Sequence, residues 1–175
     1  GALRNSQSWD TNREIRRRYG SSNNNQSLFL NSDFTRDVTE RQGTLTGFVN
    51  TVATFGEGQR IQATSMVLRQ SSDQTQIEEG FKDAPSDISR AFELEWIENS
   101  LISNQLGGEH YFAGFHELSV NWQVTDARAA RESPAKRQYT YLNVGGEYIL
   151  SLGSDGNQII FEDLDDASRE YRLGF

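Results

Sequence analysis

The chain has 175 residues, a net charge of −8 and no cysteine. Because the chain has no thiol group, it can have no disulfide framework, thiolate catalysis or cysteine-ligated metal. The acidic balance argues against nucleic-acid binding, for which only Arg16-Arg17-Arg18 is basic. Hydrophobic content is low at 35%, yet ten Phe, six Tyr and three Trp argue against disorder. A sheet with one apolar face explains both facts, and no apolar run is long enough for a transmembrane helix.

The N-terminal region is polar and lacks a regular alternation. Residues 1–40 are rich in Asn, Ser and Arg, and Ser21-Ser22-Asn23-Asn24-Asn25 has the composition of a loop tip. We therefore expect a loop region here, extracellular if the remainder is a membrane barrel. The opening Gly-Ala-Leu-Arg-Asn lacks the basic start and apolar stretch of a signal peptide. We interpret the chain as an internal piece of a longer protein.

A first hairpin is predicted over residues 42–70. In Gln42 to Phe55 the odd positions, which include Leu45 and Val49, are the more apolar. Gly56-Glu57-Gly58 supplies a tight turn, and Gln59 to Gln70 returns with apolar odd positions. Met66 and Leu68 interrupt that alternation, which indicates a bulge or a change of environment.

A second hairpin gives the clearest signal in the chain. A polar stretch, Ser71 to Arg90, is interpreted as a long loop, and Ala91 to Phe112 as a long strand with Phe92, Leu94 and Trp96 on one face. Ala113 to His116 forms the turn. Glu117 to Val124 then alternates without a break, and its apolar positions are Leu118, Val120, Trp122 and Val124.

The C-terminal third is predicted to hold a second long loop and one more strand. Within Ala130 to Ala167, the apolar segments starting at Tyr148 and Gln158 flank Asp155-Gly156, which indicates a small hairpin inside the loop. Arg169 to Phe175 has Tyr171, Leu173 and Phe175 on one face.

The connections alternate between short turns and long loops, as in outer-membrane barrels. The predicted fold is therefore an all-β antiparallel meander of about five long strands from a transmembrane β-barrel, with short turns at one end. Single-chain bacterial barrels begin at about eight strands, so the barrel would be incomplete. The alternative is a soluble all-β binding or adhesin module, for example a carbohydrate-binding one, whose sheets pack face to face.

Several motifs occur in an order that resembles TonB-dependent outer-membrane receptors. They are Phe55-Gly-Glu-Gly-Gln-Arg60, Trp96-x-Glu98-x-Ser100-Leu101, Gln105-Leu106-x-Gly108-Glu109-His110, Leu118-x-Val120-x-Trp122, Ala127-Arg128-Ala129, Glu132-Ser133-Pro134 and Ile160-Phe-Glu-Asp-Leu164. The resemblance covers residues 42–175 and implies part of a 22-stranded barrel in the outer membrane of Gram-negative bacteria. Such receptors import scarce nutrients, for example ferric siderophores or cobalamin.

The resemblance also implies partners that this chain would need. They are outer-membrane lipid, the remaining barrel strands, a plug domain, and TonB, which would be contacted through an N-terminal region outside this sequence. No plug domain is recognisable in residues 1–175. We expect no nucleic acid, no cofactor and no enzymatic activity.

Searches for catalytic and metal-binding motifs support that expectation. His110 and His116 near two glutamates offer too few ligands to define a zinc site. The acidic run Glu162 to Asp166 lacks the spacing of a calcium loop and is interpreted as a solvated turn. Glu93 and Glu95 share one strand face, where they would form a wet barrel wall.

Ligand contacts, if this segment makes any, are expected in the two long loops, because binding residues concentrate on loops held by a scaffold. Tyr139, Tyr141 and Tyr148 are the candidate ligand-binding residues, since a phenol combines a flat apolar surface with a hydroxyl. The alternative is that these tyrosines only pack the loop onto its neighbours. The ligand itself is not indicated by the sequence.

Overall fold

The computed structural model describes residues 1–21, 28–114, 116–154 and 156–175. All of its regular structure is β, as expected. The strands are β1 (Ala2–Ser21), β2 (Leu28–Phe55), β3 (Gln59–Lys82), β4 (Ile88–Phe112), β5 (Leu118–Val144), β6 (Glu147–Leu150) and β7 (Asn157–Gly174). Among these residues there is no helix of the length and apolar character needed to cross a membrane.

The strands form one antiparallel sheet that is not closed into a barrel. Its order is β1-β2-β3-β4-β5, and β5 pairs with both β6 and β7 along its second edge. The turns after β2 and β4 lie at one end, where the amide of Tyr111 donates to the carbonyl of Gly58 over 2.9 Å. The expected antiparallel meander, with both short turns at the same end, is confirmed. We call this the turn end and the opposite one the far end.

The expected long loops are wrong, because those segments are strand. Residues 1–40 supply β1 and the first part of β2, Ser71–Lys82 completes β3, and 130–144 completes β5. Only residues 83–87 separate β3 from β4. These segments are polar on both faces, so hydropathy marks them as loop, whereas cross-strand pairing keeps them extended. The contrast between short turns and long loops therefore disappears, and the strands themselves extend towards the far end.

The expected small hairpin around Asp155-Gly156 is also wrong. Residues 147–150 pair with 141–144 of β5 across a turn at Gly145 and Gly146, whose φ angles are 65° and 97°. Residues 157–174 pair along β5 instead. Asp155 itself lies outside the described residues, as do Phe115 and the expected loop tip at 22–25.

The two faces of the sheet follow from the register. Trp122 is opposite Gly108, which is opposite Ile61, so these residues share one side, called the apolar face. Gln123, Gly107 and Gln62 share the other, the polar face. On each predicted strand, the residues expected to share one face of the sheet do share it. Pairing around Met66 and Leu68 is continuous, so no bulge occurs there and these two side chains form an apolar patch on the polar face.

A bulge interrupts β5 at Ser133–Ala135. Glu132 is paired with Glu98 and Arg137 with Leu94, so β5 has one residue more than β4 between these pairs. Pro134 lies within the bulge, where the strand ladder does not need an amide hydrogen from it. The extra residue reverses the alternation of β5, and odd-numbered side chains beyond it lie on the apolar face.

The sheet is a single layer without a core. No hydrophobic residue among those described is buried. On β3 the side chains of the apolar face, such as Ala63 and Val67, are exposed, whereas Thr64 and Leu68 on the polar face are half-buried. In a single layer, such alternating exposure means that the sheet curls towards its polar face.

Gly80 should be intolerant of any side chain. A Cβ there would meet the carbonyl oxygen of Asp33 and the Cα of Phe34 in β2 at impossibly short range. Gly80→Ala is expected to lower the free energy of unfolding by about 1–3 kcal/mol, as overpacking does. Urea unfolding in detergent, followed by circular dichroism, measures the change. Gly114→Ala is the control, because a Cβ at Gly114 meets nothing within 4 Å; equal losses in both variants would contradict this close approach.

Candidate functional site

The three candidate tyrosines lie together at the far end of the sheet. Tyr139 and Tyr141 belong to β5 beyond the bulge, and Tyr148 belongs to β6. They line a groove whose volume is within the range of small-molecule sites. Its lining is Arg90, Phe92, Leu94, Tyr139, Tyr141 and Tyr148. We call this set the tyrosine groove.

The volume of the tyrosine groove is about 410 Å³. Its rings are held in place by one another, since the ring centroids of Phe92 and Tyr141 lie 5.9 Å apart at an interplanar angle of 89°. Through the register, Tyr139 is opposite Phe92 and Tyr141 is opposite Arg90, so both tyrosines are on the apolar face. Tyr148 is half-exposed at 36%. The groove therefore presents partly accessible rings to whatever lies outside this face.

An ion pair fixes the charged side of the groove. The Nε and Nη2 atoms of Arg90 lie 2.8 and 2.7 Å from Oε2 of Glu79. The Tyr148 hydroxyl donates to Oε1 of the same carboxylate over 2.9 Å. The Arg90 guanidinium also lies 4.2 Å from the centroid of the Tyr148 ring, a cation–π geometry. Hydrogen bonding to Glu79 raises the pKa of Arg90 further, so the guanidinium stays charged and paired.

A second cluster lies on the polar face at the far end. Lys136 Nζ is 2.8 Å from Oε1 of Glu93 and 3.5 Å from Oε2 of Glu95. Gln138 Nε2 donates to Glu93 over 2.9 Å. We call these four residues the lysine cluster. The hydrogen bond to Glu93 is the main reason that the pKa of Lys136 is raised, although partial burial opposes it.

Ion pairs and hydrogen bonds extend the lysine cluster towards β1. Arg36 donates to Gln76, and Arg16 pairs with Glu78. Nearer the middle of the sheet, Glu40 accepts hydrogen bonds from Gln42 and from Ser72, each over 2.7 Å. These two bonds, with that from Gln42 first, lower the pKa of Glu40. The polar face at the far end thus carries several groups of paired charges and amides.

The two histidines do not form a metal site. His110 accepts a hydrogen bond from Trp122 Nε1 at Nε2 over 3.0 Å, and its Nδ1 lies 2.6 Å from Gln59 Oε1. This pairing requires a proton on Nδ1 and engages both ring nitrogens. His116 lies in the turn, with φ of 55°. No group of three or more metal-ligating side chains occurs in the described part of the chain.

The acidic run Glu162 to Asp166 is strand and not a turn, which corrects the sequence interpretation. It lies in β7 along the edge of β5, and its carboxylates alternate between the two faces. Side chains on opposite faces of a strand cannot converge on one cation. The site residues Glu93 and Glu95 do share the polar face, as expected, and are bridged by Lys136.

Sequence reasoning missed Arg90, Glu79 and Lys136, because it placed all three in or beside expected loops. Lys136 reaches the polar face only because the bulge at Pro134 changes the alternation of β5. A proline inside a polar but alternating segment is the one sequence signal that could have indicated that bulge.

Comparisons with known proteins give no match to a protein family, a curated protein or a solved structure.

Lys136 is expected to stabilise the far end through its two carboxylates. Its raised pKa means that this contribution is complete below the ordinary lysine pKa of ~10.4 and is lost as pH rises through the folded-state value. Lys136→Met should lower the free energy of unfolding by about 1–2 kcal/mol at pH 7, since the pair is partly exposed.

Urea unfolding of Lys136→Met in detergent, from pH ~7 to pH ~12, checks this expectation. Lys82→Met is the matched control, because Lys82 is an exposed lysine at the end of β3. A loss of stability that is the same for both variants, or that does not diminish as the pH rises above ~10.4, would contradict the role assigned to the lysine cluster.

Proposed function

We propose that this chain forms part of the wall of an outer-membrane β-barrel, and that the complete barrel is a TonB-dependent receptor. The receptor would import a scarce nutrient such as a ferric siderophore or cobalamin. The observation that carries the proposal is the inverted exposure of the sheet. Along residues 63–69 of β3 and 102–106 of β4, the side chains of the apolar face are the more exposed and those of the polar face are half-buried.

The apolar face near the turn end has the composition that lipid requires. Exposed side chains there include Leu45 at 38%, Val49 at 56%, Ile102 at 50%, Leu106 at 44% and Leu173 at 65%. Contiguous apolar surface of this kind on a soluble protein is an interaction site or a liability. On a barrel, the same surface is the outer band of ~25 Å that contacts the bilayer.

The far-end boundary of the apolar band runs obliquely across the sheet, as expected for strands that are tilted in a membrane. The first charged residues beyond it on this face are Arg13, Arg41, Arg69, Glu98, Asp126 and Arg169, on β1, β2, β3, β4, β5 and β7. Through the register, Arg41 is level with Trp96 of β4, whereas Asp126 is level with Asn104, nearer the turn end. Across the sheet the boundary moves towards the turn end, from the level of Phe92 for Arg13 to the level of Asn104 for Arg169, although it steps back at Glu98. A net displacement of this kind fits strands tilted by ~35–45°.

Aromatic side chains lie at the turn end, where a barrel would meet the membrane interface. Phe55 and Phe112 are 50% and 43% exposed beside the two short turns. The His110 ring lies between the rings of Phe112 and Trp122, with centroids 6.4 Å from each. Amphipathic rings of this kind favour the boundary between lipid and water.

The alternative, a soluble binding module, lacks the layer that it would need. A β-sandwich buries the apolar faces of two sheets against each other. The described residues form one sheet, and none of their hydrophobic side chains is buried. The outer edges of β1 and β7 carry no partner strand among these residues, which suits a sheet that continues into further strands.

In the proposed barrel the polar face surrounds the lumen. The lysine cluster would then line the lumen above the membrane, while the tyrosine groove would face outwards at a similar height. Nutrient contacts are accordingly proposed for the polar face. The ligand-binding role of Tyr139, Tyr141 and Tyr148 stays a prediction. Their ligand would approach from outside the barrel.

A matched pair of substitutions tests which face contacts lipid. Leu106→Arg is expected to cost about 2–4 kcal/mol near the middle of the bilayer, as cations on a lipid-facing strand do. Gln105→Arg, one residue away on the polar face, should cost much less. Folding titrations into lipid vesicles measure both values. If Gln105→Arg proved equally harmful, the assignment of the lipid-facing side would be wrong.

Import is tested in the host cell. Disrupting the coding sequence should reduce uptake of one radiolabelled ferric siderophore or of cobalamin, and dissipating the proton gradient should reduce uptake to the same level. Reintroducing the intact gene is the control and should restore uptake. Undiminished uptake of every such nutrient in the disrupted strain would contradict the receptor proposal.

A further inference from the structure

The tyrosine groove lies beyond the apolar band, on the side of the sheet that the proposed import function does not use. Through the register, Phe92 of the groove lies on β4 further from the turn end than Glu98, the first charged residue of that strand on this face. In the membrane arrangement proposed above, the groove is therefore above the lipid and open to water. Its position on rigid paired strands holds its rings at fixed spacings.

The charges of the groove are satisfied internally. Arg90 is engaged by Glu79 through two nitrogen atoms, and the same carboxylate accepts from the Tyr148 hydroxyl. An anionic ligand would have to compete with Glu79 for the guanidinium. A cationic ligand would be repelled by Arg90, which already lies over the Tyr148 ring. The groove is therefore suited to a neutral ligand.

The remaining lining combines flat rings with hydroxyl groups. Phe92, Tyr139 and Tyr141 supply aromatic surface, and Leu94 adds an aliphatic edge that is 41% exposed. The phenols can donate and accept hydrogen bonds at the rim of the groove. A sugar ring has the complementary character, because its C–H groups form an apolar face while its hydroxyls project around the edge.

We propose that the tyrosine groove binds neutral carbohydrate. The sugar ring packs on the aromatic side chains of β4, β5 and β6, and its hydroxyls exchange hydrogen bonds with the phenols and with the Arg90–Glu79 pair. The site rests on the barrel arrangement proposed above, but it is separate from the nutrient path on the polar face and does not depend on import.

Saturation-transfer NMR and calorimetry on the full chain in detergent micelles test the proposal. The probes are maltohexaose and cellohexaose as neutral saccharides, with hexagalacturonate as an anionic comparison. We expect binding of a neutral hexasaccharide that weakens at least tenfold in Tyr141→Ala and in Tyr148→Ala. Tyr141→Phe keeps the ring and should retain most of the affinity. Tyr19→Ala is the control, because Tyr19 is 60% exposed on β1, far from the groove.

The circular dichroism spectrum of each variant shows whether the sheet is intact, and Tyr141→Phe keeps the test informative if an alanine variant does not fold. Absence of binding by both neutral hexasaccharides would overturn the proposal. Tighter binding of hexagalacturonate would do the same, as would equal affinities in folded Tyr148→Ala and Tyr19→Ala. The uptake experiment on the disrupted strain tests the receptor proposal, and its outcome does not bear on saccharide binding at the tyrosine groove.

Discussion

The single-layer sheet imposes the constraint on which the other features of this molecule depend. Each strand exposes two faces, and the described residues bury no hydrophobic side chain, so the hydrophobic effect within the chain contributes little. Cohesion comes from cross-strand hydrogen bonds and side-chain pairs. The apolar side chains on the outer curve can gain stabilisation only from an apolar surface or medium outside these residues, which in the proposed barrel is the lipid.

The bulge at Pro134 determines where both far-end surfaces lie. Without the extra residue, the alternation of β5 would continue unchanged and Tyr139 and Tyr141 would lie on the polar face. Lys136 would then lie on the apolar face, away from Glu93 and Glu95. One inserted residue therefore places a lysine between two carboxylates and two tyrosines on the opposite side. Proline suits this position because it cannot donate to the ladder.

Sequence patterns predicted the sheet well where one face is apolar and poorly where both faces are polar. Leu118 to Val124 alternates cleanly, and its strand and orientation were predictable. Ser71 to Lys82 is polar on both faces, so periodicity could not separate strand from loop. Its pairing with β2 and β4 is non-local, and local propensity carries little information on such contacts. The lysine cluster was unpredictable for the same reason, since it brings together residues of β4 and β5 that are about forty positions apart.

Long polar strands at the far end have a physical role that flexible loops could not fill. Strand pairing continues to Lys82, Ile88 and Val144, so the two far-end surfaces are built on hydrogen-bonded backbone. Rigid placement keeps the Phe92–Tyr141 and Arg90–Glu79 contacts formed before a ligand arrives, which reduces the entropy lost on binding. The opposite faces also keep the surfaces independent. A ligand at the lysine cluster would approach from inside the curve, and a saccharide at the tyrosine groove from outside it, so the two could be occupied at once.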